Sequence, residues 1–325
     1  MANVDNPFGQ VLVALVTPMT ADGEVDWAGV EKHIDDVILG GADGILVSGT
    51  TGETSTLTDA EKIRLVEVGK SVAAGRAKIL IGGCSNETAH AIQLAKACEK
   101  AGADANLVVT PYYNKPTQAG ILTHFRMIAD ATDLPMILYD IPGRTGVPIA
   151  FETLLRLAQH PNILGVKDAK GDFSQVSRVL NQTDLLYFSG ADENVLPHLA
   201  IGASGLIGVT DNIAPRPYRA IVDAVNAGDL ATATAWHKRL EPLVRAVMTH
   251  VPGTVSAKYI LHGLGRIQSP RVRLPLVGPE EAEAALIEAE IADLAGIPGV
   301  DFSDFRPDRN AAAGGALPRV AGTTR

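Results

Sequence analysis

Residues 163–172 read ILGVKDAKGD. The run Ile163-Leu164-Gly165-Val166 has no polar alternation, so it reads as a short strand buried on both faces, as the strands of parallel sheets are. It ends on Lys167, a charge set where a buried strand gives way to its loop. Seven runs of the same kind flank it: VLVALVT at 11–17, GILVSG at 44–49, KILIGG at 78–83, ANLVVT at 105–110, PMILYD at 135–140, LLYFSG at 185–190 and GLIGVT at 205–210. Amphipathic segments rich in Ala, Leu and charge lie between them. One is opened by the capping box Thr58-Asp59-Ala60-Glu61, which predicts a helix to about Ala74. Eight strand–helix units within about the first 225 residues predict an α/β fold, a (β/α)8 TIM barrel. An open, doubly wound sheet would need a G-x-G-x-x-G turn after its first strand, and no strand end supplies one.

After Val209 the helical periodicity continues without further strand-like runs. A barrel over residues 1–227 is expected to close with a helix near 215–226. A helical appendage over 228–297 then follows, with helices near 229–248, 253–264 and 279–293. Residues 298–325 are small, polar and rich in Gly, Pro and Ala, which predicts a disordered tail.

The composition narrows the partners. A 325-residue chain with 46% hydrophobic and 20% charged residues is an ordinary globular protein. Its net charge of -9 disfavours phosphate backbones, and no basic run interleaved with aromatics is present, so nucleic acid is not an expected partner. Cys84 and Cys98 have neither zinc-ligand spacing nor disulfide-scaffold density and are expected to be buried, reduced thiols. No apolar stretch approaches the ~20 residues of a membrane helix, and the start MANVDNPFGQ lacks a signal-peptide core. A cytoplasmic location without membrane contact is the expectation.

Barrel enzymes carry their reactive groups at the C-terminal ends of the strands. Those positions here are Thr17-Pro18, Gly49 to Glu53, Ser85-Asn86, Thr110 to Tyr113, Tyr139-Asp140, Lys167-Asp168, Ser189-Gly190 and Thr210-Asp211. They are rich in hydroxyls and dominated by one cation. None of the eight histidines falls at a strand end or in an H-x-x-x-H pattern, so metal catalysis is disfavoured. A lysine desolvated in a barrel mouth loses its proton more readily and exposes the lone pair that attacks a carbonyl. Lys167 is thus a candidate imine-forming nucleophile, although a lysine snorkelling out of its loop is the bland alternative. Lys170, in a Gly-flanked polar loop, is expected to be such a solvated cation. Tyr139 closes the preceding strand and is placed to move protons for Lys167, with core packing as its alternative.

GTTGE at 49–53, VTPYYNKP at 109–116, LYDIPGRTG at 138–146 and GVKDAKG at 165–171 resemble, in order, motifs of the 4-hydroxy-tetrahydrodipicolinate (dihydrodipicolinate) synthase family. That family belongs to the pyruvate-dependent Schiff-base aldolases that also include N-acetylneuraminate lyase. The resemblance runs from about Phe8 to about Leu294. It implies a lyase that condenses pyruvate with L-aspartate 4-semialdehyde in lysine and diaminopimelate biosynthesis, with no metal or organic cofactor. It implies that Lys167 forms the imine, with Tyr139 the proton shuttle, Thr50 hydrogen-bonded to that tyrosine, and Tyr113 a third relay member reaching across a tight dimer contact. Thr51 would help hold the pyruvate carboxylate, while Gly190 and Ile207 would line the pocket. Arg144 would bind the carboxylate of the semialdehyde, a task suited to a planar bidentate donor. A homotetramer built as a dimer of tight dimers is implied as well. Two alternatives stay open: a sugar-acid lyase of the same superfamily, and a non-catalytic barrel that only binds a keto acid.

One stretch departs from the pattern. Lysine-inhibited members of the family bind the amino acid through an asparagine, two histidines and a glutamate beneath the Tyr112 position. Asn86 and Tyr112 are kept here, but Asp59 and Lys62 stand at the histidine positions and His90 at the glutamate position. Trading the anion for an imidazole and adding a cation predicts weak or absent inhibition by L-lysine, whose two ammonium groups need anionic partners.

Overall fold

The computed structural model describes residues 6–82, 85–292, 294 and 296–307. Eight strands, β1 (Val11–Ala14), β2 (Gly44–Val47), β3 (Lys78–Ile81), β4 (Ala105–Val109), β5 (Met136–Asp140), β6 (Ile163–Asp168), β7 (Leu186–Ser189) and β8 (Gly205–Gly208), pair in parallel in chain order. β8 returns to β1, so the sheet closes. Each strand falls inside one of the apolar runs read from the sequence. Their residues are almost all buried because helices cover the outside and side chains fill the inside, which is why alternation is missing.

The period of two decides which side chain faces which way. Leu12, Leu46, Leu80, Leu107, Ile137, Tyr139, Phe188 and Ile207 pack together as the barrel interior. Leu138, Val166 and Tyr187, one residue out of phase, pack instead with the outer helices. Lys167 follows Val166 and therefore points inward, while Asp168 points outward.

The expected capping box forms: Thr58 and Glu61 satisfy each other's backbone N–H groups at the start of helix Asp59–Ala73. After the barrel's last helix, Pro215–Asn226, come helices Leu230–Met248, Gly253–Gly263 and Glu281–Ile291. Their apolar faces share one core with β8: Leu206 and Val209 pack in the same cluster as Leu243, Tyr259, Ile260 and Ile287. The C-terminal segment is thus built onto the barrel wall.

It also reaches the mouth. Fully buried Lys258 is ion-paired with Glu53 and donates to the Arg271 carbonyl at 2.7 Å, while Glu53 Oε2 accepts from the Arg273 N–H at 2.8 Å. Glu53 holds φ +62, a strained value for a non-glycine residue, and this buried network fixes it there.

The disordered tail expected from residue 298 does not begin there. Ile297 and Val300 form a β-bridge, Phe302 is buried, and the Phe305 ring stands edge-on to Tyr259 at 6.2 Å. Four apolar residues within nine suffice to dock this short segment, a contribution that composition averaged over the tail conceals. Residues 308–325 lie outside the described residues, as does Cys84; Cys98 is buried. Among the described residues, no helix is long and apolar enough to cross a membrane.

Candidate active site

β5 and β6 run in register with Tyr139 opposite Lys167, so both side chains enter the barrel mouth at one level. Lys167 Nζ lies 4.5 Å from the centre of the Tyr139 ring, and both residues are buried, 4% and 6% exposed. Burial lowers the Lys167 ammonium from 10.5 to about 8; Asp192 and Asp211 push back, and Arg144 adds to the lowering. At pH 7 about one-tenth of such a lysine is the neutral amine, against fewer than about one in a thousand for an ordinary one. Burial also pushes the Tyr139 phenol up to about 12, against the pull of the Arg144 charge and a hydrogen bond with Thr50. At neutral pH Tyr139 is therefore a proton donor and not a phenolate. Its hydrogen-bond partner Thr50 stands exposed at the mouth.

The loop after β2 supplies two of the expected hydroxyls. Thr50 is exposed at the mouth and Thr51 is buried beside it. The loop is pinned from below, since Thr17 Oγ1 donates to the Gly52 carbonyl at 2.8 Å and Thr54 N donates to Gly49 O at 3.2 Å. Thr50, Tyr139 and Arg144 all line a cavity of about 220 Å³, together with Leu107, Val109 and Tyr112. Its apolar floor and few polar groups suit a small organic acid. Arg144 sits in a single helical turn, Pro142–Thr145, that follows β5, and its guanidinium is exposed to the cavity.

Neither Gly190 nor Ile207 is among the residues lining that cavity. A Cβ at Gly190 would stand 2.9 Å from Lys167 Cγ and 3.0 Å from Cε, so the space that glycine leaves is taken by the lysine stem. Ile207 is fully buried among the interior side chains below the mouth. Tyr113 is not brought to the site: it is 91% exposed and held at φ +73.

Lys170 is not the solvated cation expected. Its Nζ lies 3.3 Å from Asp140 Oδ2, and the two side chains are only 15% and 2% exposed. Asp140 closes β5 and faces out of the barrel, as Asp168 does on β6. That pairing is made across neighbouring strands, so sequence spacing does not reveal it. Asp168 in turn accepts from His198 Nε2 at 3.0 Å and from the Gly171 N–H at 3.0 Å, which anchors the loop just beyond Lys167.

Two acids near Lys167 escaped the sequence reading. Asp192 lies two residues past Gly190, in a 3-10 turn after β7, and Asp211 lies in the corresponding turn after β8. Asp211 is visible as a strand-end residue, but nothing in the sequence tells that its carboxyl turns inward. Among the described residues, no group of three or more His, Cys, Asp or Glu side chains is arranged to hold a metal ion.

Fold and mouth together define a (β/α)8 barrel with a buried amine of lowered proton affinity at its mouth. The Dihydrodipicolinate synthetase family matches residues 7–293. The 4-hydroxy-tetrahydrodipicolinate synthase of Kineococcus radiotolerans is 50% identical over 291 residues, 90% of this chain and 94% of that one. A chloride-inhibited dihydrodipicolinate synthase from Acinetobacter baumannii, solved in complex with pyruvate, superposes with a TM-score of 0.85 at 38% identity, covering 88% of this chain and 99% of the other. The corresponding enzyme of Cyanidioschyzon merolae, solved with lysine bound, gives 0.85 at 37% identity over 89% and 98% of the two chains. The chain belongs to the dihydrodipicolinate synthetase family and is an enzyme.

Proposed function

We propose that this chain condenses pyruvate with L-aspartate 4-semialdehyde to give 4-hydroxy-tetrahydrodipicolinate, a lyase step of lysine and diaminopimelate biosynthesis. The observation that carries the mechanism is Lys167: a buried amine, lowered to about 8, facing a protonated tyrosine on the neighbouring strand. Lys167 Nζ attacks the pyruvate ketone carbon, and the carbinolamine loses water to leave a protonated imine. Tyr139, relayed through Thr50, supplies the proton that the departing water needs. The imine draws electrons from the methyl carbon, which gives up a proton to form an enamine. That carbon attacks the semialdehyde carbonyl, whose oxygen takes a proton and becomes the 4-hydroxyl. The substrate's own amine then adds to the imine carbon and expels Lys167 as the ring closes. The iminium is the electron sink, so the scheme calls for no cofactor.

Thr51 and the surrounding backbone hold the pyruvate carboxylate, and the exposed Arg144 guanidinium receives the carboxylate of the semialdehyde. Gly190 admits the lysine stem, and Ile207 closes the floor beneath it. Tyr113 serves a neighbouring copy, in a dimer of tight dimers; its full exposure and left-handed backbone suit a side chain held out for a partner. The reaction is placed in the cytoplasm. A coupled assay with pyruvate and L-aspartate 4-semialdehyde tests the reading: turnover is expected, and turnover only with N-acetylneuraminate or a keto-deoxy-sugar acid would replace it with the sugar-acid reading.

A further inference from the structure

The mechanism above leaves two fully enclosed carboxyl groups unused. Asp192 and Asp211 are 2% and 0% exposed, and both act on Lys167 through space with no hydrogen bond to it. They converge on Gly208: a Cβ there would stand 2.9 Å from Asp211 Oδ2 and 3.0 Å from Asp192 Oδ1, so these oxygens lie no more than about 6 Å apart. Only glycine leaves room for both. Two carboxyls this close and this dry do not both ionise.

Their surroundings decide which one holds the charge. Asp192 accepts from Val209 N–H at 3.1 Å, from Thr210 N–H at 3.0 Å and from the Tyr218 hydroxyl at 3.3 Å. Asp211 has no hydrogen-bond partner at either oxygen. The N–H groups of Gly208 and of Asp211 itself favour its charged form weakly, but burial and the Asp192 charge outweigh them and raise it well above the carboxylate range. The other ionisable groups facing this cluster are Tyr139 and Arg144 toward Lys167, and Glu193 and Tyr218 toward Asp192.

We propose that Asp192 and Asp211 are positioning residues that share one proton and hold a single negative charge behind Lys167, where it stabilises the positive imine. Neither touches substrate. The charge acts in a water-excluded site, where a fixed anion is worth far more than in solvent. It also opposes the desolvation of Lys167, keeping the amine from losing its proton too easily. The inference rests on the imine reading of Lys167.

The test uses the full chain and follows pyruvate imine formation by borohydride trapping across pH. Asp192→Asn keeps an oxygen for the Val209 and Thr210 N–H groups and removes the charge, since burial, the larger cause of its raised proton affinity, still holds Asp211 protonated. Its midpoint for imine formation is expected to fall by about one pH unit while the adduct weakens about ten-fold. Simple loosening of the site would instead admit water and move the midpoint up, toward ordinary lysine, which overturns the proposal, as does an unmoved midpoint with unchanged adduct affinity. Infrared spectroscopy near pH 8 gives an independent reading that does not depend on that variant folding. Wild type should show a protonated-carboxyl band that Asp211→Asn lacks, and its absence from wild type overturns the shared proton. If wild type itself traps no pyruvate, the functional reading fails, whereas trapping with no shift in Asp192→Asn sinks the counter-charge alone.

Discussion

The mouth of this barrel has an inner half and an outer half built on different physical terms. The inner half, Lys167, Tyr139, Asp192 and Asp211, is buried, and its lysine and tyrosine stand on paired strands. The outer half, Thr50, Arg144 and Tyr113, is exposed and stands on the loops and the short helical turn that follow the strands. Burial gives the inner groups unusual proton affinities, the property that imine chemistry uses. The outer groups keep solvent and freedom, which suits recognition of a second substrate and of a neighbouring chain. In the proposed mechanism, reactivity lives in the wall of the barrel and selectivity on its rim.

Substitutions on either side of that divide should fail differently. Tyr139→Phe removes the inner proton donor while preserving the ring beneath Lys167. Turnover is expected to fall by about 10²–10⁴, with single-turnover imine formation slowed as well. A variant that turns over normally would mean that water alone supplies the proton. Arg144→Ala strikes the rim. It should lower kcat/KM for the semialdehyde by on the order of 30-fold or more, yet leave the extent of pyruvate trapping near wild type, since in the proposed mechanism that side chain meets only the second substrate. Because Arg144 pushes the Lys167 ammonium down, the midpoint for trapping should rise slightly. Equal loss at both steps would make Arg144 a structural residue.

The smallest effect concerns regulation, at a distance from both halves. Asp59 bonds His90 Nε2 at 2.6 Å and lies 3.5 Å from Lys62 Nζ, while Asn86 donates to the Tyr112 carbonyl at 3.1 Å. The one carboxylate among them is already occupied, so little negative charge is left for a dicationic guest. L-lysine in the millimolar range should change the rate of the coupled assay by less than about two-fold, and inhibition at sub-millimolar lysine would contradict this.

The lysine and the tyrosine of the inner half were legible in the sequence. Buried parallel strands write themselves as unbroken apolar runs, so Val166 and Leu138 fix the phase that turns Lys167 and Tyr139 inward. What stayed hidden depends on contacts between distant segments. The Lys170–Asp140 pair joins two strands, and the Asp192–Asp211 pair joins turns after two others. Lys258 comes from a helix about 200 residues away from its partner Glu53. None of these has a local signature. The docked segment at 297–305 was missed because its few apolar residues are diluted by small and polar ones. The four motifs at 49–53, 109–116, 138–146 and 165–171 carried the rim residues, which periodicity alone would have left as ordinary loop polar groups.

The central claim is that the reactive amine is Lys167 and that burial makes it so. Incubation with pyruvate and borohydride, followed by peptide mapping, tests it most directly. The adduct is expected on Lys167 alone, with a yield that rises with pH through about 8 as the ammonium loses its proton. Lys170, tied to Asp140, should remain unmodified. An adduct on Lys170, or a Lys167→Ala variant that still traps pyruvate, would contradict the account.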